Sequence, residues 1–294
     1  MQEFLSLRAF PGSQEDLVSF LESSFRDETR ILNERSAALI PASKCVETRV
    51  PLDSEAFQRI KRFIEQKRKQ DVEGYQYLTV DLLRKYSKNE LQNAEVLLLK
   101  IRSHFEPSGE ECGTIYETLC NHCNWGRQVS DLILDLRRVP QHKDISETIA
   151  WVEWVVSTNF VRTFTENNLT GAEFRPIFEF KNPTKQSKNW YQLRATGKAG
   201  GLAETTKLGR DPFSPSQVSW RCPLGHSVVT EFLSEIYLQR NTWDGSDIAV
   251  TEALFGQGRN LLRPTPLIII SQRMYRTLQE AGLKGFSVEV AHLV

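Results

Sequence analysis

Cys120-Asn121-His122-Cys123 is a CxxC. That spacing lets two thiolates share one tetrahedral ion at about 2.3 Å each. Gly126 follows closely, as a knuckle turn needs. A second half-site is Cys222-Pro223-Leu224-Gly225-His226, with a thiolate and, four positions on, an imidazole. The expected ligand set is therefore Cys120, Cys123, Cys222 and His226, a Cys3His zinc site of zinc-ribbon type. Four protein donors fill the tetrahedron and leave no position for water, so the expected zinc is structural. A metal-free relic with buried thiols stays open as the alternative. A redox CxxC is the weaker reading, because no thioredoxin-like βαβ pattern follows. His122 and Cys112 are spare ligands, and Cys45 reads as a plain buried or partly exposed residue.

Trp243-Asp244-Gly245-Ser246-Asp247 is the most site-like polar cluster. An enzyme using Asp244, Asp247 and His292, with Gly197 to Gly201 as a lid, is one alternative. The bland reading is that Ser246 caps a helix beginning at Asp247, after an Asp-Gly turn. No HExxH, GxSxG or GxxxxGK[ST] occurs. The expectation is a non-catalytic protein. Trp151, Trp154, Trp190, Tyr191 and Trp243 are candidate partner-binding residues, since Trp and Tyr are enriched at binding hot spots.

The elements that position these residues form a repeat. Ser157 and Ser271 each follow a strand end, each precede one amphipathic helix, and each lead to a glycine turn and a second strand. The offset is 114, Ser157 to Ser271 and Gly171 to Gly285. Upstream, Asp144-Ile145 and Asp247-Ile248 match at an offset of 103, and each is expected to open a helix. Each copy is preceded by its cysteine site. The expected fold is α+β: an N-terminal α+β part over 1–104, then a pseudo-duplicated strand–helix–strand part over 105–294, with copies at about 120–180 and 222–294.

Within the first part, Ser13-Gln14-Glu15-Asp16 reads as a capping box. A second helix is expected near Asp53, with Phe57, Ile60 and Ile64 inward and Lys67-Arg68-Lys69 at its carbonyl end. Val96–Leu99 and Leu267–Ile270 read as buried strands. Residues 181–219, rich in Lys, Asn, Gly and Pro, read as exposed loop.

Bulk properties exclude several classes. Lys+Arg and Asp+Glu are both 37, so the formal net charge is zero, which argues against a zinc-ribbon nucleic-acid module working through a broad basic face. No stretch reaches the ~20 apolar residues of a membrane span. The first residues, Met1-Gln2-Glu3-Phe4, lack a basic n-region and an apolar h-region. Five scattered cysteines suit a reducing compartment, so a cytoplasmic location is expected.

Several motifs in order carry a family resemblance. Glu110-Glu111-Cys112-Gly113-Thr114-Ile115-Tyr116, Cys120-x-x-Cys123, Asp131-Leu132-Ile133-Leu134-Asp135-Leu136, Lys143-Asp144-Ile145 and Val156-Ser157 form the first half. Arg221-Cys222-Pro223-x-Gly225-His226, Trp243-Asp244-Gly245-Ser246-Asp247-Ile248 and Gly285-Phe286-Ser287-Val288-Glu289-Val290-Ala291-His292-Leu293 form the second. Together they resemble bacterial proteins of the double-CXXCG-motif family, over roughly residues 75–294. The resemblance implies a protein that neutralises a partner, an immunity protein against a bacterial toxin domain. Only the metal motif carries over. Gly225 stands where the second CxxC would have its second cysteine, with His226 one place later, and Asn124-Trp125-Gly126 follows the first CxxC where the family has glycine at once.

Overall fold

In the computed structural model, which describes residues 1–34, 43–70, 72, 75, 78–209, 211–213, 220–229, 231–255 and 263–294, three helices start where a serine side chain can cap them. Ser54 Oγ accepts the Phe57 amide at 3.1 Å, Ser157 Oγ the Phe160 amide at 3.1 Å, and Ser271 Oγ the Met274 amide at 3.0 Å. Each cap satisfies an amide that the first helical turn leaves without a partner. The fold is α+β and divides into two compact units.

The first unit comprises Met1–Ser87 and Arg210–Ser216, of which 211–213 are described. Its elements are β1 (Gln2–Ala9), α1 (Glu15–Ser24), β2 (Thr29–Glu34), β3 (Ser43–Pro51), α2 (Glu55–Lys69) and β4 (Thr79–Lys85). The antiparallel sheet has the order β2-β3-β1-β4. Leu5 and Leu7 of β1 form one core with Leu17 and Leu21 of α1 and Ile60 and Ile64 of α2. The spacing of Phe57, Ile60 and Ile64 keeps one face of α2 apolar, as expected, while Lys67, Arg68 and Lys69 fall in its last turn. Ser13 does not cap α1. Gln14 holds the cap position, and Ser13 Oγ donates to the Phe10 carbonyl instead. Phe213 completes this core from far along the chain, 4% exposed and stacked on Phe57. The guanidinium of Arg68 donates to both carboxylate oxygens of Asp211, at 3.0 and 2.7 Å.

The second unit comprises Lys88–Gly209 and Gln217–Val294. The strand expected at Val96–Leu99 therefore belongs to it, although the sequence places the boundary at 104. Its first half contains α3 (Lys88–Asn93), β5 (Val96–Ile101), β6 (His104–Phe105), α4 (Gly109–Cys112), β7 (Tyr116–Thr118), β8 (Gly126–Gln128), β9 (Leu132–Leu134), β10 (Ile145–Thr148), β11 (Trp154–Ser157), α5 (Thr158–Glu166), β12 (Ala172–Glu179) and β13 (Asn182–Ala195). There follow β14 (Gly197–Gly200), β15 (Leu208–Gly209), β16 (Trp220–Arg221), β17 (Ser227–Val229), β18 (Glu231–Phe232), β19 (Ile236–Leu238), β20 (Ile248–Phe255), β21 (Thr265–Ser271), α6 (Gln272–Glu280) and β22 (Phe286–Leu293).

Two sheets dominate, and they share an order of strands. One runs β6-β10-β11-β13-β12-β9; the other contains β20-β21-β5-β22-β19. In both, the strands before and after the Ser-capped helix flank a third strand antiparallel to each of them. In both, a short strand lies parallel on the far side, β9 against β12 and β19 against β22. The middle strand has different origins: β13 returns directly from β12, whereas β5 comes from before both cysteine sites. Val96 to Leu99 are all buried, which suits a central strand covered on both faces.

Three sequence expectations change. Asp144-Ile145 and Asp247-Ile248 lead into strands β10 and β20, and Ser246 caps no helix. Ile145, Ile248, Val250 and Thr251 are β-branched, and both segments pair with neighbouring strands. Most of 181–195, read as loop, is strand β13, with Trp190 and Gln192 buried on one face and Leu193 buried on the other. Gly197 to Gly201 is no flexible turn or lid. It forms parallel strand β14 against β20, and a side chain at Gly197 would strike the Ile248 carbonyl at 2.3 Å.

Candidate metal centre

Each half-site sits in the turn of a two-stranded hairpin. Cys120 and Cys123 lie between β7 and β8; Cys222 and His226 lie between β16 and β17. The amides of Leu119 and Cys120 donate to the Trp125 carbonyl at 2.9 and 3.0 Å, closing the first knuckle. In the second, the Cys222 amide donates to the His226 carbonyl at 2.9 Å and the Gly225 amide to the Cys222 carbonyl at 2.8 Å. Each turn needs a left-handed residue: Asn124 at φ 57° and Gly225 at φ 87°. That requirement suits glycine at 225.

The two turns bring the four predicted ligands together. Cys120 Sγ lies 3.3 Å from Cys222 Sγ, and Cys123 Sγ lies 3.5 Å from His226 Nδ1. All four donor atoms fall within 4.8 Å of one another. A tetrahedral ion with bonds near 2.3 Å has ligand-to-ligand edges of roughly 3.8 Å, so the cluster has the size of a coordination shell. The cysteines are free thiols, too far apart for an S–S bond. They are 1%, 0% and 3% exposed, and His226 is half-buried against Trp125. The cluster can bind a metal ion.

Backbone amides point at the sulfurs. The Leu224 amide donates to Cys222 Sγ at 3.4 Å, and those of Cys123 and His122 donate to Cys120. Burial pushes the Cys120 thiol up, but these donors and the Cys222 thiol outweigh it and leave Cys120 below the usual thiol range. Cys123 goes the other way, raised by burial and by the two neighbouring sulfurs. Such N–H···S donors favour the thiolate form of Cys120. Residue types alone did not reveal them.

The spare ligands lie elsewhere. His122 is exposed, and Cys112 is buried with its thiol pushed up by burial, next to Asp135. Cys45 is buried in the first unit.

The aromatic candidates have varied settings. Trp151 is buried beside the first knuckle, stacked on Tyr116 at 3.7 Å, with the Arg263 guanidinium 3.4 Å from its ring centre. Arg263 also donates to the Asn124 carbonyl at 3.4 Å, so this stack braces the CxxC turn. Trp154 is half-buried and hydrogen-bonds Glu147. Trp190 is buried, Tyr191 is half-buried on the same strand, and Trp243 packs partly buried against the core around Val96 and Ala249.

The residues of the enzyme alternative serve other partners. Asp244 accepts from the amides of Lys198 and Ser246 at 2.8 and 2.9 Å. Asp247 accepts from Ser271 Oγ and from the Thr170 amide. His292 pairs with Glu235 at 2.8 Å and stacks on Tyr237.

Asp144 and Asp247 link the two strand–helix–strand segments reciprocally. Asp144 accepts from its own Ser157 Oγ at 2.8 Å and from the Lys284 amide at 2.9 Å. Asp247 accepts from its own Ser271 Oγ at 2.7 Å and from the Thr170 amide at 2.9 Å. Comparison with protein-family models and with curated proteins gives no match. Among the described residues, no helix is long and apolar enough to cross a membrane.

Proposed function

We propose that this chain is a non-catalytic protein-binding protein with a structural zinc centre, and that it neutralises a bacterial toxin domain in the cytoplasm. The observation that carries the reading is the Cys120–Cys123–Cys222–His226 cluster. Its four protein donors complete a tetrahedron, which suits fold stabilisation and gives no coordination position to a substrate or water. Three thiolates and one imidazole are a borderline-soft set suited to zinc. Cys120 and Cys123 with Cys222 and His226 would hold the ion; its chemistry is to fix the two hairpin turns to each other.

The immunity role rests on the resemblance to the double-CXXCG-motif proteins. The commitment of Asp244, Asp247 and His292 to structural bonds weighs for binding over catalysis. The internal repeat is read as a duplication, supported by the shared strand order and by the matching roles of Asp144 and Asp247.

Co-expression tests the function. The chain is produced in bacteria together with the toxic C-terminal domain of a secreted protein encoded beside it. Restored growth and a co-purifying complex are expected. Growth arrest with no complex would end the immunity reading for that domain.

A further inference from the structure

The binding reading leaves open which face meets the partner, and the inference here rests on that reading. Two cavities of about 620 and 490 Å³ share Gln141, Asn189 and Trp190. They lie where the turn between β12 and β13 faces the 135–144 segment and the start of α5. Six cationic side chains line them: Arg137, Lys143, Lys181, Lys185, Lys188 and Lys284. Three carboxylates line them as well, Asp135, Asp144 and Glu179, which leaves a surplus of three positive charges.

Those carboxylates are already engaged. Asp135 takes three hydrogen bonds from Arg137, one from its amide and two from its guanidinium, Glu179 pairs with Lys185 at 2.7 Å, and Asp144 serves Ser157 and the Lys284 amide. Among the described residues, Lys143, Lys181, Lys188 and Lys284 have no ion-pair partner. The whole chain has a formal net charge of zero, so this surplus is a local feature. Trp190 is a buried wall of both cavities, and Phe180, 44% exposed, stands at the hairpin turn.

We propose that this basic groove is the partner-docking surface, and that it takes an acidic, carboxylate-rich segment of a protein. The unpaired ammonium groups supply charge complementarity and on-rate, while Phe180 and the Trp190 wall supply apolar contact. A nucleic acid is the poorer occupant. Phosphate backbones are held by extended basic tracks, and this surplus is confined to one groove on a neutral chain.

The test uses a labelled twelve-residue peptide alternating Asp/Glu with Leu and Phe, and a twelve-nucleotide single-stranded DNA. Both are titrated by fluorescence anisotropy against the full chain. The variants are the triple reversal Lys143→Glu/Lys181→Glu/Lys188→Glu and a control triple reversal, Lys69→Glu/Lys88→Glu/Lys207→Glu, with thermal melts to check folding. Peptide affinity is expected to fall at least tenfold in the groove variant and less than twofold in the control. No peptide binding, equal loss in both variants, or tighter binding of the DNA would overturn the proposal. The co-expression assay separates the two levels. If the wild type rescues growth and the groove variant rescues equally with an unchanged complex, the groove is not the interface while the immunity reading stands. If the wild type itself fails to rescue, the immunity reading is lost, and the peptide result still decides the groove.

Discussion

Cys120 Sγ and Cys222 Sγ sit 3.3 Å apart although 102 positions separate them in the chain. Loop closure over such a separation is entropically costly, so something must hold the two hairpin turns in register. A further link between the two strand–helix–strand segments is the exchange of hydrogen bonds by Asp144 and Asp247, next to β10 and β20.

Asp247 is 5% exposed and serves three donors: Ser271 Oγ, the Thr170 amide and Thr170 Oγ. Asp247→Ala leaves these groups without their acceptor and is expected to cost roughly 3 kcal/mol, read from urea denaturation. Asp144→Ala, at a half-buried site with two such donors, is expected to cost about half as much. Equal, negligible losses in both variants would mean that the exchange does not hold the two segments together.

The glycine turns donate these bonds through the Thr170 and Lys284 amides, and close approach fixes the identity of the glycines. A Cβ at Gly171 would come within 2.0 Å of the Ile248 carbonyl, and one at Gly285 within 2.1 Å of the Ile145 carbonyl. Both positions also have positive φ, 88° and 114°. Gly171→Ala and Gly285→Ala should each destabilise by about 1–3 kcal/mol or more, through overpacking and strain together. Gly245→Ala is the contrast. Its φ is also positive but its Cβ would meet nothing within 4 Å, so only the conformational strain should appear.

Much of this was legible in the sequence, and the boundary of legibility is physical. Ser157 and Ser271 announced their helices because a cap is a local interaction. The Cys/His set could be read because ligand spacing is a local signature in each half-site. Asp144-Ile145 and Asp247-Ile248 look like helix starts but lead into strands, because an acidic residue before an apolar run serves a helix dipole and a strand-edge turn alike. β13 is hidden by its polar composition: Asn182 to Gln186 are exposed, and the exposed Lys188 and Asn189 separate the buried Ser187 and Trp190. The basic groove was unreadable for a related reason: its lysines come from three separated segments, and only the fold gathers them.

Glu153 gives a pH dependence. It is 5% exposed; Tyr116 Oη and the Gly109 amide donate to its Oε1, and its Oε2 has no partner among the described residues. Burial raises it to about 7, against an ordinary 4.5, and the nearby Glu106 carboxylate adds to the rise. The folded state thus holds this proton more tightly than the unfolded chain. The stabilisation is full below about pH 4.5 and is lost as pH rises through about 7. Glu153→Gln keeps an acceptor for Tyr116 and Gly109 but cannot ionise. Its stability relative to wild type should therefore improve between pH 5 and pH 8, read from denaturation midpoints. A constant difference across that range would show that Glu153 does not titrate in this window.

Metal content is the most direct test of the central claim. The protein is purified without chelator, its zinc is measured by elemental analysis, and its melting is recorded with and without EDTA. One zinc per chain is expected, with a lower melting temperature after chelation, and with the zinc lost in Cys222→Ser but kept in Cys112→Ser. Metal-free protein whose melting ignores EDTA, or a Cys222→Ser variant that retains a full zinc equivalent, would contradict a metal centre built from both half-sites.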